Sequence, residues 1–231
     1  MDEHPLDRPI WTSLTSEQAK FAISTPDAAR FEPDVSPLAG VRDESAQSLS
    51  DLGDIVAKTG PVIVAQVQDV VSPPKATVVW QAAALQFVHQ GVKATMPEGL
   101  SFGPLDESDA PEMMALAHLT KPGPFEKRTH ELGQFWGVKE NGVLIAMAGE
   151  RLRQTGFAEI SGVCTHPSAQ GRGFGTALCK HMFNTIIDRG VTPYLHAYED
   201  NANAIGLYEA LGFKKRARVN VVGLDYAHSG A

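Results

Sequence analysis

Residues 164–178, "CTHPSAQGRGFGTAL", decide how the rest of the chain is read. A strand pattern, "GFAEISGVCTH" (156–166), runs up to Pro167, and a turn carrying Gly171, Gly173 and Gly175 follows. An apolar helical pattern through Ala177, Leu178, Met182, Phe183, Ile186 and Ile187 then continues to Gly190. Strand, glycine turn and helix start together make an anion site, because unpaired backbone N–H groups converge there and the helix dipole adds partial positive charge. Glycine lets the backbone approach phosphate oxygens that a Cβ would hold off. A nucleotide loop of the GxxxxGK[ST] type is excluded, since no lysine stands in the required place. A GxGxxG dinucleotide turn is excluded too: the glycines are evenly spaced by two, and no acidic residue ends a second strand about twenty residues later.

The flanking sequence reads as alternating strands and helices. Upstream, "QFWGVKENGVLIAMAGERLR" (134–153) is two strands joined at Asn141-Gly142, a tight-hairpin signal. Downstream come a strand, "TPYLHAYE" (192–199), a short helix, "NANAIGLYEALG" (201–212), and a final strand, "RARVNVVGLDY" (216–226). A helix is expected to begin near Ser108, after a strand containing Leu100 and Phe102. Residues 1 to about 95 carry a weaker version of the same layout: a helix through "EQAKFAI" (17–23), another over "SLSDLGDIVAKTG" (48–60), and a strand "PVIVAQV" (61–67). "ATVVWQAAALQFVHQ" (76–90) fits one long strand or a strand running into a helix. The order is that of an α+β fold with a mixed sheet.

Composition narrows the class. The chain has 231 residues, 43% of them hydrophobic, enough to bury a core without staples. Its net charge of −7 argues against a general nucleic-acid or anionic-membrane binder, and mildly favours a cationic acceptor. The two cysteines, Cys164 and Cys179, form no disulfide framework, and the histidines at 166, 181 and 196 have no metal-ligand spacing, so no metal is expected. The N-terminus "MDEHPLDRPI" lacks a basic and an apolar signal region, and a cytoplasmic location is expected.

Gln170-x-x-Gly173-x-Gly175 matches the (Arg/Gln)-x-x-Gly-x-(Gly/Ala) signature of the GNAT superfamily of N-acetyltransferases. About thirty residues on, "NANAIGLYEALGF" resembles the family's second motif, an Asn seven residues before a Tyr in a Leu-Tyr-Glu-x-x-Gly-Phe ending. The resemblance covers residues 100 to about 226. Through "CTHP", "AMAGER" and "TPYLHAYEDN" it is similar to a bacterial branch related to glycine N-acyltransferase-like proteins. It implies a mostly antiparallel mixed sheet with flanking helices, a catalytic domain at 100–231, and a degenerate GNAT-like half at 1–95. It also implies transfer of an acetyl group from acetyl-CoA to a primary amine, with a homodimer left open. In this resemblance Val163, Cys164 and Thr165 pair with the pantetheine arm, and Gln170, Gly171, Arg172, Gly173, Phe174, Gly175 and Thr176 wrap the pyrophosphate. Arg172 either adds a charge contact or points into solvent. Asn201 contacts the CoA arm, or merely caps its helix.

An amine acceptor arrives protonated, so a base is needed, and a partly buried carboxylate can have its pKa raised enough to serve. The resemblance offers Glu159, four residues before Val163 and therefore on the same face of a regular strand. Glu150, in "AMAGER", competes with it. Tyr208 matches the family's general acid for the leaving thiolate, and its alternative is a tyrosine packed beside Leu207 and Leu211. Cys164 and His166 invite an acyl-enzyme reading, but no orienting Asp or Asn accompanies them, so a buried inert thiol is preferred. The acceptor site is expected around Lys121–Phe125, "QFWGV" and "HAYED", with Phe125, Trp136 and Tyr198 as candidate walls. A catalytically silent acyl-CoA-binding regulatory module is the rival reading; Glu159 and Tyr208 together count against it.

Overall fold

A computed structural model describes residues 4–227 of the protein. Eleven strands form one mixed sheet in the order β1-β2-β3-β4-β11-β5-β10-β9-β8-β7-β6. They are β1 (Ala22–Ser24), β2 (Ala28–Phe31), β3 (Leu38–Val41), β4 (Val62–Gln66), β5 (Ala76–His89), β6 (Gly103–Leu105), β7 (Phe135–Glu140), β8 (Val143–Gln154), β9 (Phe157–Thr165), β10 (Thr192–Tyr198) and β11 (Phe213–Tyr226). The helices are α1 (Pro9–Leu14), α2 (Ala46–Thr59), α3 (Ala110–Thr120), α4 (Phe174–Asp188) and α5 (Ala202–Ala210). Among the described residues only β3–β4 and β9–β10 pair in parallel; the other pairings are antiparallel, as expected of the fold class.

The hairpin at Asn141-Gly142 joins Glu140 to Val143, and α4 ends just before Gly190, as the patterns dictate. The undecided stretch 76–89 is a single strand, held by β11 along its whole length. The helix expected at 17–23 is instead one 3-10 turn at Ala19–Phe21 leading into β1, and the true first helix lies earlier, at α1. Pro9 at the first turn favours that earlier start, and Ile10 and Leu14 reach the core from it, joined there by Phe21 from the 3-10 turn.

Residues 1–95 and 100–231 do not build separate sheets. The C-terminal strand β11 is flanked on both sides by strands of the first half, β4 and β5, and β5 in turn pairs with β10. α4 packs on one face of the central strands through Phe174, Leu178, Met182 and Phe183. On the other face α1 packs against β3 and β8, which are far apart in strand order, so the sheet curls and α1 spans the opening. Buried Leu6, Ile10, Leu14, Phe31, Leu38 and Tyr194 fill that side.

Candidate active site

Two parallel strands part at the centre of the sheet. β9 and β10 pair at Phe157–Thr192, Ala158–Pro193 and Glu159–Tyr194, and beyond these both strands continue without pairing to each other. Backbone N–H and C=O groups left facing a gap need partners, and an extended ligand arm can supply them as an added strand would. Val163, Cys164 and Thr165 lie on the parted segment of β9. A cavity of about 170 Å³ passes through the gap. On the α4 side it is lined by Val163, Ala197, Asn201, Ala204 and Tyr208; on the concave side by Arg151, His196, Tyr198 and the apolar residues of α1, β3, β4 and β11.

The turn beyond β9 has the form that an anion needs. Gly171 and Gly173 take φ of +75° and +82°, a conformation costly to any residue with a Cβ, and Gly173 is the N-cap of α4. Among the described residues, no backbone N–H from Gly171 to Thr176 is hydrogen-bonded, whereas Ala177 N–H already donates to Gly173. A Cβ on Gly171 would meet nothing within 4 Å, so space lies open above these donors. A pyrophosphate fits this combination. Arg172 fulfils neither alternative outright: its guanidinium lies over the Phe174 ring and pairs bidentately with Glu140 of β7. Asn201 accepts from Ala204 N–H at 3.1 Å, capping α5, and its side of the helix also lines the cavity.

Glu159 does not face Val163. Gly149 pairs with Ser161 and Met147 with Cys164, so Gly162 and Val163 together oppose Ala148 in a β-bulge. The extra residue resets the alternation: Glu159 turns to the concave face, while Val163 packs with Phe174 and Leu178 on the other. Glu159 is 0% exposed. Its Oε2 accepts from Arg151 Nε at 2.9 Å, and its Oε1 accepts from Arg151 Nη2 at 2.6 Å and contacts His196 Nδ1 at 2.7 Å. Burial alone would raise its pKa, but the Arg151 charge and the His196 hydrogen bond outweigh burial and hold it down at about 2. The expected raised carboxylate is therefore a permanently charged one. Glu150 is equally buried, on the α4 side, and pairs with Arg189 at 2.8 Å without lining the cavity.

The group that does reach the cavity is His196. Gln86 Nε2 donates to His196 Nε2 at 3.0 Å, and Gln86 is itself oriented by donating to Leu6 C=O at 2.9 Å and accepting from Arg216 Nη1 at 2.7 Å. With an amide donor at Nε2, the imidazole proton belongs on Nδ1, directed at Glu159, and the lone pair sits on Nε2. The sequence placed His196 in the "HAYED" stretch around the acceptor site and weighed its ring only as a metal ligand; its place on β10, at the parted edge beside Glu159, is a tertiary fact. Tyr208 lies across the gap, 8% exposed, with its phenol pushed up in pKa chiefly by burial, so it stays protonated. Burial among Met147, Phe135 and Leu116 pushes the Cys164 thiol up to about 11, which leaves too little thiolate for a nucleophile. Of the expected acceptor walls, Tyr198 and Lys121–Pro124 line the cavity. Phe125 instead packs on Phe135, and Trp136 on His181 and Phe102.

Known proteins share this sequence and architecture. The FR47-like protein family matches residues 136–222. The ribosomal protein bS18-alanine N-acetyltransferase of Escherichia coli K12 is 28% identical over 117 residues, 48% of this chain and 78% of that protein. N-alpha-acetyltransferase RimI of Mycobacterium tuberculosis is 34% identical over 98 residues, 41% of this chain and 59% of that one. A crystal structure from Novosphingobium aromaticivorans, assigned to an acetyltransferase of the GNAT family, superposes with a TM-score of 0.90 at 36% identity, covering 98% of this chain and 100% of that one. A GCN5-related N-acetyltransferase from Kribbella flavida shares the fold at 15% identity, with a TM-score of 0.63 over 97% of this chain and 95% of that one.

Proposed function

Because the chain belongs to the GNAT family and is an acetyl-CoA-dependent N-acetyltransferase, we propose that acetyl transfer to a primary amine takes place in the gap between β9 and β10, with His196 as general base and Tyr208 as general acid. Acetyl-CoA supplies the thioester. The open edge of Val163, Cys164 and Thr165 holds its pantetheine arm, the free N–H groups from Gly171 to Thr176 hold its pyrophosphate, and Asn201 lies beside the arm. His196 Nε2 takes the proton from the acceptor's ammonium, which replaces the Gln86 amide at that lone pair, and Glu159 stabilises the imidazolium through Nδ1. The freed nitrogen lone pair attacks the thioester carbonyl carbon. Backbone N–H near Val163 steadies the oxyanion. As the C–S bond breaks, the Tyr208 phenol gives its proton to the departing sulfur and is restored by the extra proton that the new amide nitrogen sheds. Glu159 thus serves the base step through His196 and not by direct contact.

The observation that carries this reading is the cavity that crosses the sheet exactly where the two strands part, with His196 on one wall and Tyr208 on the other. The curated relatives named above act on alanine and on N-alpha groups, and the likeness to glycine N-acyltransferase-like proteins points the same way, so an α-amine is the first acceptor to try. Thiol release from acetyl-CoA over a panel of amines, comparing wild type with His196→Ala and Tyr208→Phe, is the test. Turnover lost in both variants while acetyl-CoA still binds is expected. Tight binding with no amine turned over above the variants would instead favour a silent acyl-CoA-binding module.

A further inference from the structure

The concave half of the cavity is chemically lopsided. Its side walls are apolar, through Ile10, Leu38, Ile63, Val219 and Val221, and the charged side chains that line it are both cationic, Lys121 and Arg151. No carboxylate lines it, since Glu159 lies beneath Arg151 and His196. This reverses the preference for a cationic acceptor that the net charge of the chain suggests. Arg151 spends Nε and Nη2 on Glu159, whereas Nη1 has no hydrogen-bond partner among the described residues and points towards the Lys121–Pro124 loop, 3.5 Å from where a Cβ on Gly123 would lie. Arg151 Nη2 and His196 Nδ1 meet on the same Glu159 oxygen, so a free guanidinium edge and the base sit side by side. At about 170 Å³ the whole cavity, both sides of the gap together, is smaller than sites for drug-sized ligands, roughly 300–1,000 Å³.

We infer that the acceptor carries a carboxylate next to its amine and an apolar side chain, the chemistry of a free apolar amino acid. The carboxylate docks on Arg151 Nη1 and Lys121, the amine reaches His196, and the side chain lies on the apolar wall. The inference rests on the N-acetyltransferase reading above and separates a free amino acid from a peptide N-terminus, which has no carboxylate at that distance. The test is thiol release with leucine, leucinamide and a short peptide beginning with leucine, in wild type, Lys121→Gln and Arg151→Lys; the lysine keeps a cation beside Glu159 but removes the free edge. Leucine should exceed leucinamide in kcat/KM by at least about tenfold, the worth of one charge-assisted hydrogen bond. Both variants should raise KM for leucine by a larger factor than that for leucinamide, so that the preference for leucine shrinks. Leucinamide or the peptide matching leucine overturns the inference while N-acetylation stands. Acetyl-CoA bound with none of these amines, nor any of the wider panel, turned over overturns both. Should Arg151→Lys fail to fold, the leucine–leucinamide ratio and the exposed Lys121→Gln still decide.

Discussion

Replacing Glu159 by Gln removes the partner of a buried arginine, and a buried charge left alone typically costs about 3–5 kcal/mol. Denaturant unfolding should register that loss, together with a fall in kcat, because His196 loses the group that stabilises its charged form. The sign with pH follows from the depressed pKa of about 2: stability from Glu159 is fully present above the ordinary carboxylate range and is lost as the pH falls from there through 2. Thermal melts between pH 7 and 3 should therefore fall more steeply for wild type than for Glu159→Gln. His196→Ala should lower kcat by about 10²–10⁴-fold, the usual worth of a general base, with acetyl-CoA affinity kept. Tyr208 should impose no alkaline limb on the rate below the ordinary tyrosine range near 10, since burial pushes it upward. Motif spacing set Tyr208 and Asn201 on one helix with a rigid period, and both line the cavity; it did not find the partnership of Glu159, Arg151 and His196, which joins three strands.

The loop before α4 is the element whose geometry was most legible, since a local run of chain supplies both the donors and the glycines that expose them. Gly173→Ala forces a Cβ into a left-handed N-cap at a cost of roughly 1 kcal/mol. Acetyl-CoA titration should show weakened binding in this variant, and the acceptor KM should stay close to wild type. β9 was legible as a strand, yet its face was not. The bulge at Gly162–Val163 is visible only once β8 is paired alongside, because nothing in the order of side chains distinguishes a bulge from a regular strand until a partner counts one residue against two. That single extra residue sends Glu159 and Val163 to opposite faces, one beneath the concave half of the cavity and the other lining it on the α4 side.

Across the whole molecule, β5 is the structural link between the halves. It lies between β10 and β11, and Ile10, Leu38 and Ile63 from the first 95 residues line the cavity. A chain lacking residues 1–95 should therefore not fold as an independent acetyltransferase; circular dichroism should show no cooperative melt, whereas the full chain should unfold in one transition. A truncated chain that melts sharply and binds acetyl-CoA would disprove this. The sequence by itself determined the α+β class, the hairpin at Asn141-Gly142, the glycine turn at the start of α4 and the short helix after β10, because each depends on neighbours within a few residues: periodicity, turn chemistry and helix ends. Only the tertiary structure decided that the two halves share one sheet, that Glu159 is locked by Arg151, and that His196 faces the gap. Those outcomes depend on which strands lie side by side and on how far burial is offset by a charge brought from another strand, quantities with no local signature in the chain.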